Sequence, residues 1–325
     1  MDLLIPALLL IIGLGGLSYG ADFLIRGAVS ISRLIGISPF IIGLTVVAWG
    51  TSAPEVVVTV GAALGGVPDV AVGNVIGSNI TNVLLIGGVT ALLLPLCCAP
   101  ATVRRDGAIL VAMTLFVLFL AYALGYLPFW AGALLLVAMV VHTIMIFKFG
   151  GEEAVEEAPD VAWGWKIALI SLFGGLLVLG IGGQAFIWGA VELAEEIGVP
   201  EAVIGATIVA IGTSLPELFA SIAAARHGHR DVVIGNIIGS NIANILLVLA
   251  LPALIFPITT DAPRMRITAF FMLACTAIWI GVSMYFGLTQ IVGIGFIIAL
   301  VAYAILAWSI DRDDKSEDTK EELKM

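Results

Sequence analysis

Charge is what this chain has least of. Only 12% of its residues are Asp, Glu, Lys or Arg, where a soluble domain carries about 25%. Basic residues are the scarcer kind, 14 against 24 acidic ones, and they form no run. That excludes a surface built to track nucleic-acid phosphates. Much of the acidic excess lies in 152–160 and 311–325; both read as solvated segments, so the negative balance implies no basic partner, and no obligate protein partner is expected. Cys97, Cys98 and Cys275 have no metal or redox spacing and read as small apolar filler. His142, His227 and His229 fall near predicted helix ends or in loops and read as solvated. No basic segment precedes the first apolar run, so a cleaved signal peptide is not expected and the first span should be retained. No cofactor motif and no catalytic set are present, and an enzyme is not expected.

What the chain has is hydrocarbon. Its residues are 61% hydrophobic, and its mean hydropathy is +1.14. A bilayer core of about 30 Å needs roughly 20 apolar residues per helix. Charge and Pro/Gly punctuation then predict ten spans, at 3–25, 39–64, 70–94, 108–124, 128–147, 165–188, 202–225, 232–256, 267–286 and 290–310. The predicted fold class is all-α, a polytopic membrane protein. Its parts are a first repeat at 1–149, an acidic linker at 150–162, a second repeat at 163–310 and a charged tail at 311–325. Trp130, Trp163, Trp165, Trp188 and Trp308 suit interfacial anchoring. With the N-terminus outside, Arg26, Arg33, Arg104, Arg105, Lys148, Lys166, Arg226 and Arg230 fall in inner loops, and only Arg264 and Arg266 in outer ones. This asymmetry favours both termini outside a cell membrane.

The halves are called repeats because one passage is written twice. Gly43–Glu55 returns as Gly205–Glu217, and Gly73–Asn82 as Gly235–Asn244, at a constant offset of 162. The weaker remainder aligns without gaps; Asp22, for instance, faces Gln184. Asp22 reads as structural, near a helix end. Two homologous halves with five spans each must cross the membrane in opposite directions. The repeats are therefore expected to be inverted about an axis in the membrane plane.

The duplicated passage carries chemistry. In Gly50-Thr51-Ser52-Ala53-Pro54-Glu55, Pro54 supplies no N–H and clashes with the Gly50 carbonyl. The helix should break there, and again at Gly212 and Pro216, leaving carbonyls near 48–51 and 210–213 without partners. Such groups are tolerated within a membrane only where they line a cavity or meet a cation. Glu55 and Glu217 follow one turn later. A carboxylate at that depth costs a few kcal/mol, and two at equivalent positions suggest a shared cation. Carboxylate, carbonyl and hydroxyl oxygens are hard donors suited to Ca²⁺, Mg²⁺, Mn²⁺ or Na⁺, and a flexible carbonyl-rich site fits Ca²⁺ better than Mg²⁺. Ser78 and Asn82, with Ser240 and Asn244, lie four apart and share a helix face. Gly73, Gly77, Gly235 and Gly239 would let the helices approach closely.

The paired motifs closely resemble the two alpha-repeats of the Ca²⁺/cation antiporter superfamily, nearest to the prokaryotic sodium/calcium exchangers, over essentially the whole chain. The resemblance implies a secondary antiporter of a prokaryotic cytoplasmic membrane that exchanges Na⁺ for Ca²⁺ by alternating access and exports Ca²⁺. It implies Glu55 and Glu217 as shared carboxylates, with Thr51 and Thr213 offering carbonyls to Ca²⁺. One Na⁺ site would use Ala48, Thr51, Ser52, Glu55 and Ser240, and its mirror Ala210, Thr213, Ser214, Glu217 and Ser78. Asn82 and Asn244 would line the centre, and the first and sixth spans would slide across the core. Several relatives have Asp where Asn244 stands, so the neutral residue here argues against K⁺ dependence. H⁺/Ca²⁺ exchange, K⁺-dependent exchange and a cation channel are the alternatives. An intramembrane hydrolase is disfavoured, because the chain has no Gly-x-Gly-Asp pair, Ser–His dyad or metal-binding His motif.

Overall fold

A computed structural model describes residues 3–96, 100–149, 163–199, 204, 210–259 and 263–305. The helices follow from long apolar runs and end where backbone chemistry requires it. Helix α1 (Leu4–Ile35) stops at Gly36, whose φ of 75° is left-handed; its N–H donates to the Arg33 carbonyl and the Ile37 N–H to that of Ser32. Helix α2 (Pro39–Thr51) starts from Ser38, whose Oγ accepts the Ile41 N–H at 3.4 Å, with Pro39 as the first residue. It bends by 43° into α3 (Ala53–Leu64). Helix α4 begins at Pro68–Thr81, passes through a π turn at Asn82–Ile86 and finishes at Gly87–Leu93. Helices α5 (Pro100–Leu124) and α6 (Phe129–Phe149) complete the first half.

The second half follows the same order. It has α7 (Trp165–Glu196), a short α8 (Ala210–Thr213), α9 (Leu215–Arg226) and α10. The last begins at Arg230–Ala243 and runs through a π turn at Asn244–Val248. Helices α11 (Pro263–Tyr285) and α12 (Gln290–Ile305) end the described chain. Among the described residues seven helices are long and apolar enough to cross a membrane, or eight if the bent α2–α3 pair is one span. Parts of the seventh and tenth expected spans, the linker, the tail, Cys97, Cys98 and Trp308 lie outside the described residues.

The centre is α2–α3, α4, α9 and α10, wrapped by the remaining helices. Helices α1 and α7 cross it as an antiparallel pair in backbone contact. A methyl group on Gly13 would meet the Phe186 backbone, one on Gly20 the Leu179 N at 2.5 Å, and one on Gly27 the Leu172 N at 2.5 Å. The converse contacts, at Gly175 with Leu24, Gly182 with Leu17 and Gly189 with Leu10, are the same ones shifted by 162 in each partner. Two short backbone pairings follow the same shift to within one residue of register. Strand β1 (Tyr126–Leu127) pairs antiparallel with β2 (Ile258–Thr259), and Leu96 bridges to Leu288. The described residues are otherwise helical or irregular, in keeping with the all-α expectation; at these loop ends amides are satisfied across the two halves rather than within a helix.

Three further expectations change. Helix α1 runs ten residues past the predicted end at 25, because an Asp22–Arg26 ion pair (3.0 Å) one turn apart supports its polar continuation. Asp22 is therefore inside the helix and not near its end, and it also meets the His227 Nε2. The histidines are not simply solvated: His142 and His229 are buried, and His227 is largely covered. The His142 Nε2 lies 3.1 Å from an oxygen of fully buried Asp106, which also receives the Arg105 guanidinium at 2.8 and 3.2 Å. That cluster joins α5 to α6, satisfying a carboxylate that apolar surroundings would otherwise penalise. Trp130, Trp165 and Trp188 are exposed, as anchoring requires, whereas Trp163 is half-buried.

The α1–α7 seam has no space for a side chain. Gly175→Val should destabilise the protein by about 1–3 kcal/mol or more through overpacking, because a Cβ there sits 2.4 Å from the Leu24 N. Adjacent Gly174 faces open space, so Gly174→Ala should leave the thermal midpoint in detergent unchanged or raised. Equal midpoints for the two variants would contradict the backbone contact.

Candidate functional site: a buried oxygen cluster at two helix breaks

Each break places opposite helix ends side by side. Ser52 and Ser214 leave helical geometry, with ψ of 6° and 3°, and Pro54 and Pro216 open the helices that follow. Glu55 and Glu217 then occupy the first turns of α3 and α9, where exposed N–H groups and the helix dipole favour a negative charge. Thr51 and Thr213 close α2 and α8 at the same breaks. The expectation of orphaned carbonyls does not hold for Ala48. Its oxygen accepts the Ser52 N–H at 3.0 Å and the Thr51 hydroxyl at 3.2 Å. Pro54 still withholds a donor from Gly50, and Pro216 from Gly212.

The breaks are tied across the halves. The Ser52 Oγ donates to Glu217 Oε1 at 2.9 Å, and the Ser214 Oγ donates to Glu55 Oε1 at 3.4 Å. Both glutamates are 1% exposed, and each is bonded by the serine three residues before the other. Thr51, Ser52, Thr213, Ser214, Ser78, Ser240, Asn82, Asn244 and Ala48 are buried as well. Ala210 opens α8, and its side chain lies outside the described residues.

Above the breaks, α4 and α10 bring in amides and hydroxyls. Gly235 and Gly239 allow this approach: a Cβ on Gly239 would lie 2.3 Å from the Leu44 carbonyl oxygen, and one on Gly235 2.5 Å from that of Phe40. The repeat equivalents of Phe40 and Leu44, at 202 and 206, lie outside the described residues. Asn82 and Asn244 each begin a π turn, a distortion common at functional sites. The Asn82 Nδ2 donates to Asn241 Oδ1 at 3.2 Å, and the Asn244 Nδ2 donates to Asn79 Oδ1 at 3.0 Å.

What remains is a set of oxygens. Glu55 Oε2, Glu217 Oε2, Ser78 Oγ, Ser240 Oγ, Asn82 Oδ1 and Asn244 Oδ1 are buried and have no hydrogen-bond partner among the described residues. They form three pairs related by the shift of 162. An unsatisfied buried oxygen costs about 1–3 kcal/mol, and more when charged, so six drawn from the two duplicated motifs call for a counter-charge; Asn236 Oδ1 and Ser283 Oγ are partnerless among the described residues as well. Among the described residues no cluster of three or more His, Cys, Asp or Glu exists. The donor set is therefore hard and carries two carboxylates.

Sequence reading missed Asn79 and Asn241, although both sit in the duplicated motif at the common offset. It also missed a supporting pair. The Asn74 Nδ2 donates to Thr59 Oγ1 at 2.8 Å, and the Asn236 Nδ2 to Ser221 Oγ at 2.9 Å and to the Glu217 carbonyl at 3.3 Å. These bonds fasten α4 to α3 and α10 to α9. One feature breaks the symmetry. Helix α1 lies against α9, and a methyl on Gly183 of α7 would sit 3.6 Å from the Pro216 ring. Leu215 and Pro216 are buried, whereas the equivalent Ala53 is exposed and Pro54 half-buried.

Apolar helices enclosing a duplicated carboxylate pair define an ion-transporting membrane protein rather than an enzyme. The chain matches the family described as sodium/calcium exchanger protein over residues 5–148 and 167–309. It is 33% identical to the sodium/calcium exchanger MaX1 of Methanosarcina acetivorans, covering 83% of this chain and 89% of that one. It is 38% identical to the inner membrane protein YrbG of Escherichia coli, covering 78% and 81%. The sodium-calcium exchanger NCX_Mj, solved after soaking with Na⁺ and Sr²⁺, superposes with a TM-score of 0.83 at 30% identity, covering 94% of this chain and 99% of that one. The chain belongs to the sodium/calcium exchanger family.

Proposed function

We propose that the protein exchanges Na⁺ for Ca²⁺ across a prokaryotic cytoplasmic membrane and that export of Ca²⁺ is its working direction. The six partnerless oxygens carry this reading. Ca²⁺ takes six to eight oxygen ligands in flexible geometry, and two carboxylates neutralise one divalent ion. Glu55 and Glu217 are the shared charges. Thr51 and Thr213 add backbone carbonyls to the Ca²⁺ shell. Ser52 and Ser240 flank Glu55 in one Na⁺ site, where Ala48 joins once its carbonyl gives up the Thr51 hydroxyl, and Ala210, Ser214 and Ser78 flank Glu217 in its mirror. Asn82 and Asn244 line the centre. Because both ions need the same two carboxylates, one set must leave before the other binds, which is a direct physical route to exchange.

The architecture that goes with this function is ten spans in two inverted repeats, 1–149 and 163–310, joined by the acidic linker 150–162 and followed by the charged tail 311–325, with both termini outside. The antiparallel, reciprocal contacts of α1 with α7 support it, as do the paired strand contacts at Leu96 and Ile258. Helices α1 and α7, held backbone to backbone, move as one body over the core. Their cover over Leu215 and Pro216, absent at Ala53, is what one end of such a movement requires.

Purified protein in liposomes should take up radioactive Ca²⁺ when a Na⁺ gradient is imposed with pH clamped, and the uptake should respond to membrane potential. Uptake driven only by a proton gradient, or only with K⁺ present, would replace the Na⁺ assignment. Glu55→Gln and Glu217→Gln should each reduce this uptake to the level of empty liposomes while the protein still purifies as a folded species. Exchange retained in either variant would remove that glutamate from the site. Saturating Ca²⁺ should stabilise the wild type by about 2.7 kcal/mol at a hundred times its Kd, and neither glutamine variant to that extent. Asn244→Asp places a third carboxyl group at the centre and should change the relative dependence on Na⁺, K⁺ and Ca²⁺. An unchanged profile would make the residue structural.

A further inference from the structure

The amide pairs between α4 and α10 do more than join helices. An Asn side chain has nearly the same shape whether its oxygen or its NH₂ group points to a given side, but the electrostatics are opposite. An oxygen aimed at a cation is a ligand, whereas an NH₂ aimed there repels it. Within Asn82 or Asn244 nothing decides between the two, so the decision lies with the neighbour that meets the other end of the amide. For Asn244 that neighbour is Asn79 Oδ1 at 3.0 Å, and for Asn82 it is Asn241 Oδ1 at 3.2 Å. All four side chains are no more than 2% exposed, so bulk water does not compete for these donors. The pairs are reciprocal: each helix offers one acceptor and, three residues later, one donor. Both bonds end at the first residue of a π turn. On the other side of each amide, Asn82 Oδ1 and Asn244 Oδ1 have no hydrogen-bond partner among the described residues.

We propose that Asn79 and Asn241 are positioning residues that hold the Asn244 and Asn82 amides with carbonyl oxygen, not NH₂, toward the transported cation. The proposal rests on the exchange reading for the identity of the cation and deepens it. Asn79 and Asn241 themselves do not touch the ion. Each acts by capturing the NH₂ of an amide from the opposite repeat, so that two neutral oxygens join two carboxylates without adding charge. The clasp also explains why Asn occurs at all four positions. A carboxylate at 82 or 244 would have no N–H to give to the amide oxygen it meets, and that amide would have to turn over.

The test is a double-mutant cycle read by Ca²⁺ titration of the purified full chain, followed by thermal shift or calorimetry, which does not depend on transport. Asn79→Ala should weaken Ca²⁺ binding roughly tenfold, and Asn244→Ala by a similar factor. In the Asn244→Ala background Asn79→Ala should change the Kd less than about twofold, because Asn79 acts only through Asn244. Asn241→Ala with Asn82→Ala is the equivalent cycle in the other repeat and serves if the first set does not fold. Full additivity in a cycle, or an unchanged Ca²⁺ Kd in the single Asn79→Ala and Asn241→Ala variants, would overturn the positioning role. So would loss of fold in every variant, which would make the clasp purely structural, or a wild type that binds no Ca²⁺. A wild type that binds Ca²⁺ but shows no Na⁺-driven uptake would defeat the exchange reading and leave the cycle valid.

Discussion

Two carboxylates buried 1% exposed inside a shell of apolar helices are the constraint on which the structure depends. A charge at that depth is costly, and two that repel each other are worse placed than one. The surrounding chemistry offsets this from several directions. Each glutamate sits in the first turn of a helix, each accepts a hydroxyl hydrogen bond from the opposite half, and each keeps one oxygen uncommitted. The helix break is what makes such a position available. An unbroken helix at that depth would present side chains but no termini. Pro54 and Pro216, each just before its glutamate, supply the N-terminal ends in the interior.

The serine bonds make the two halves one unit. Ser52 belongs to the first break and serves the second carboxylate; Ser214 does the reverse. Neither half can complete its own glutamate's hydrogen bonding. The asparagine clasp follows the same logic one layer away, and the Asn74–Thr59 and Asn236–Ser221 bonds hold each amide-bearing helix to its glutamate-bearing neighbour. In the exchange reading this mutual dependence matters because the ion site must stay assembled while the covering helices move. A core laced by cross-repeat hydrogen bonds and a separate pair of helices joined through glycine backbones are mechanically suited to that division. The unequal burial of Leu215 and Ala53, two residues related by the repeat, shows that the cover is not centred.

Much was legible in the sequence, for physical reasons. Scarce charge and long apolar runs identify a membrane protein because lipid tolerates little else. A motif repeated at constant offset identifies a two-fold construction. A proline just before an intramembrane glutamate marks a broken helix, since the ring removes a donor wherever it sits. Those features are local or periodic, and they pointed to the class, the breaks and a candidate set that includes Glu55, Ser78, Asn82 and their repeat equivalents. Other features misled. The histidines looked solvated because a sequence shows helix ends but not what lies beside them. His142 turned out to face Asp106, 36 residues away, and His227 to face Asp22 across 205.

Composition, spacing and the internal repeat by themselves determined that this is a helical membrane protein with a duplicated, oxygen-rich, doubly acidic motif. Only the tertiary structure decided which oxygens are already used and which are not. Ser52 pairs with Glu217 rather than Glu55, Ala48 has its carbonyl occupied, and Asn79 and Asn241 accept hydrogen bonds from the amides of the opposite helix. Hydrogen bonds between residues some 160 positions apart depend on how two helices are rotated and how closely glycines let them approach. That information is written in the packing of the whole molecule and in no local stretch of the chain.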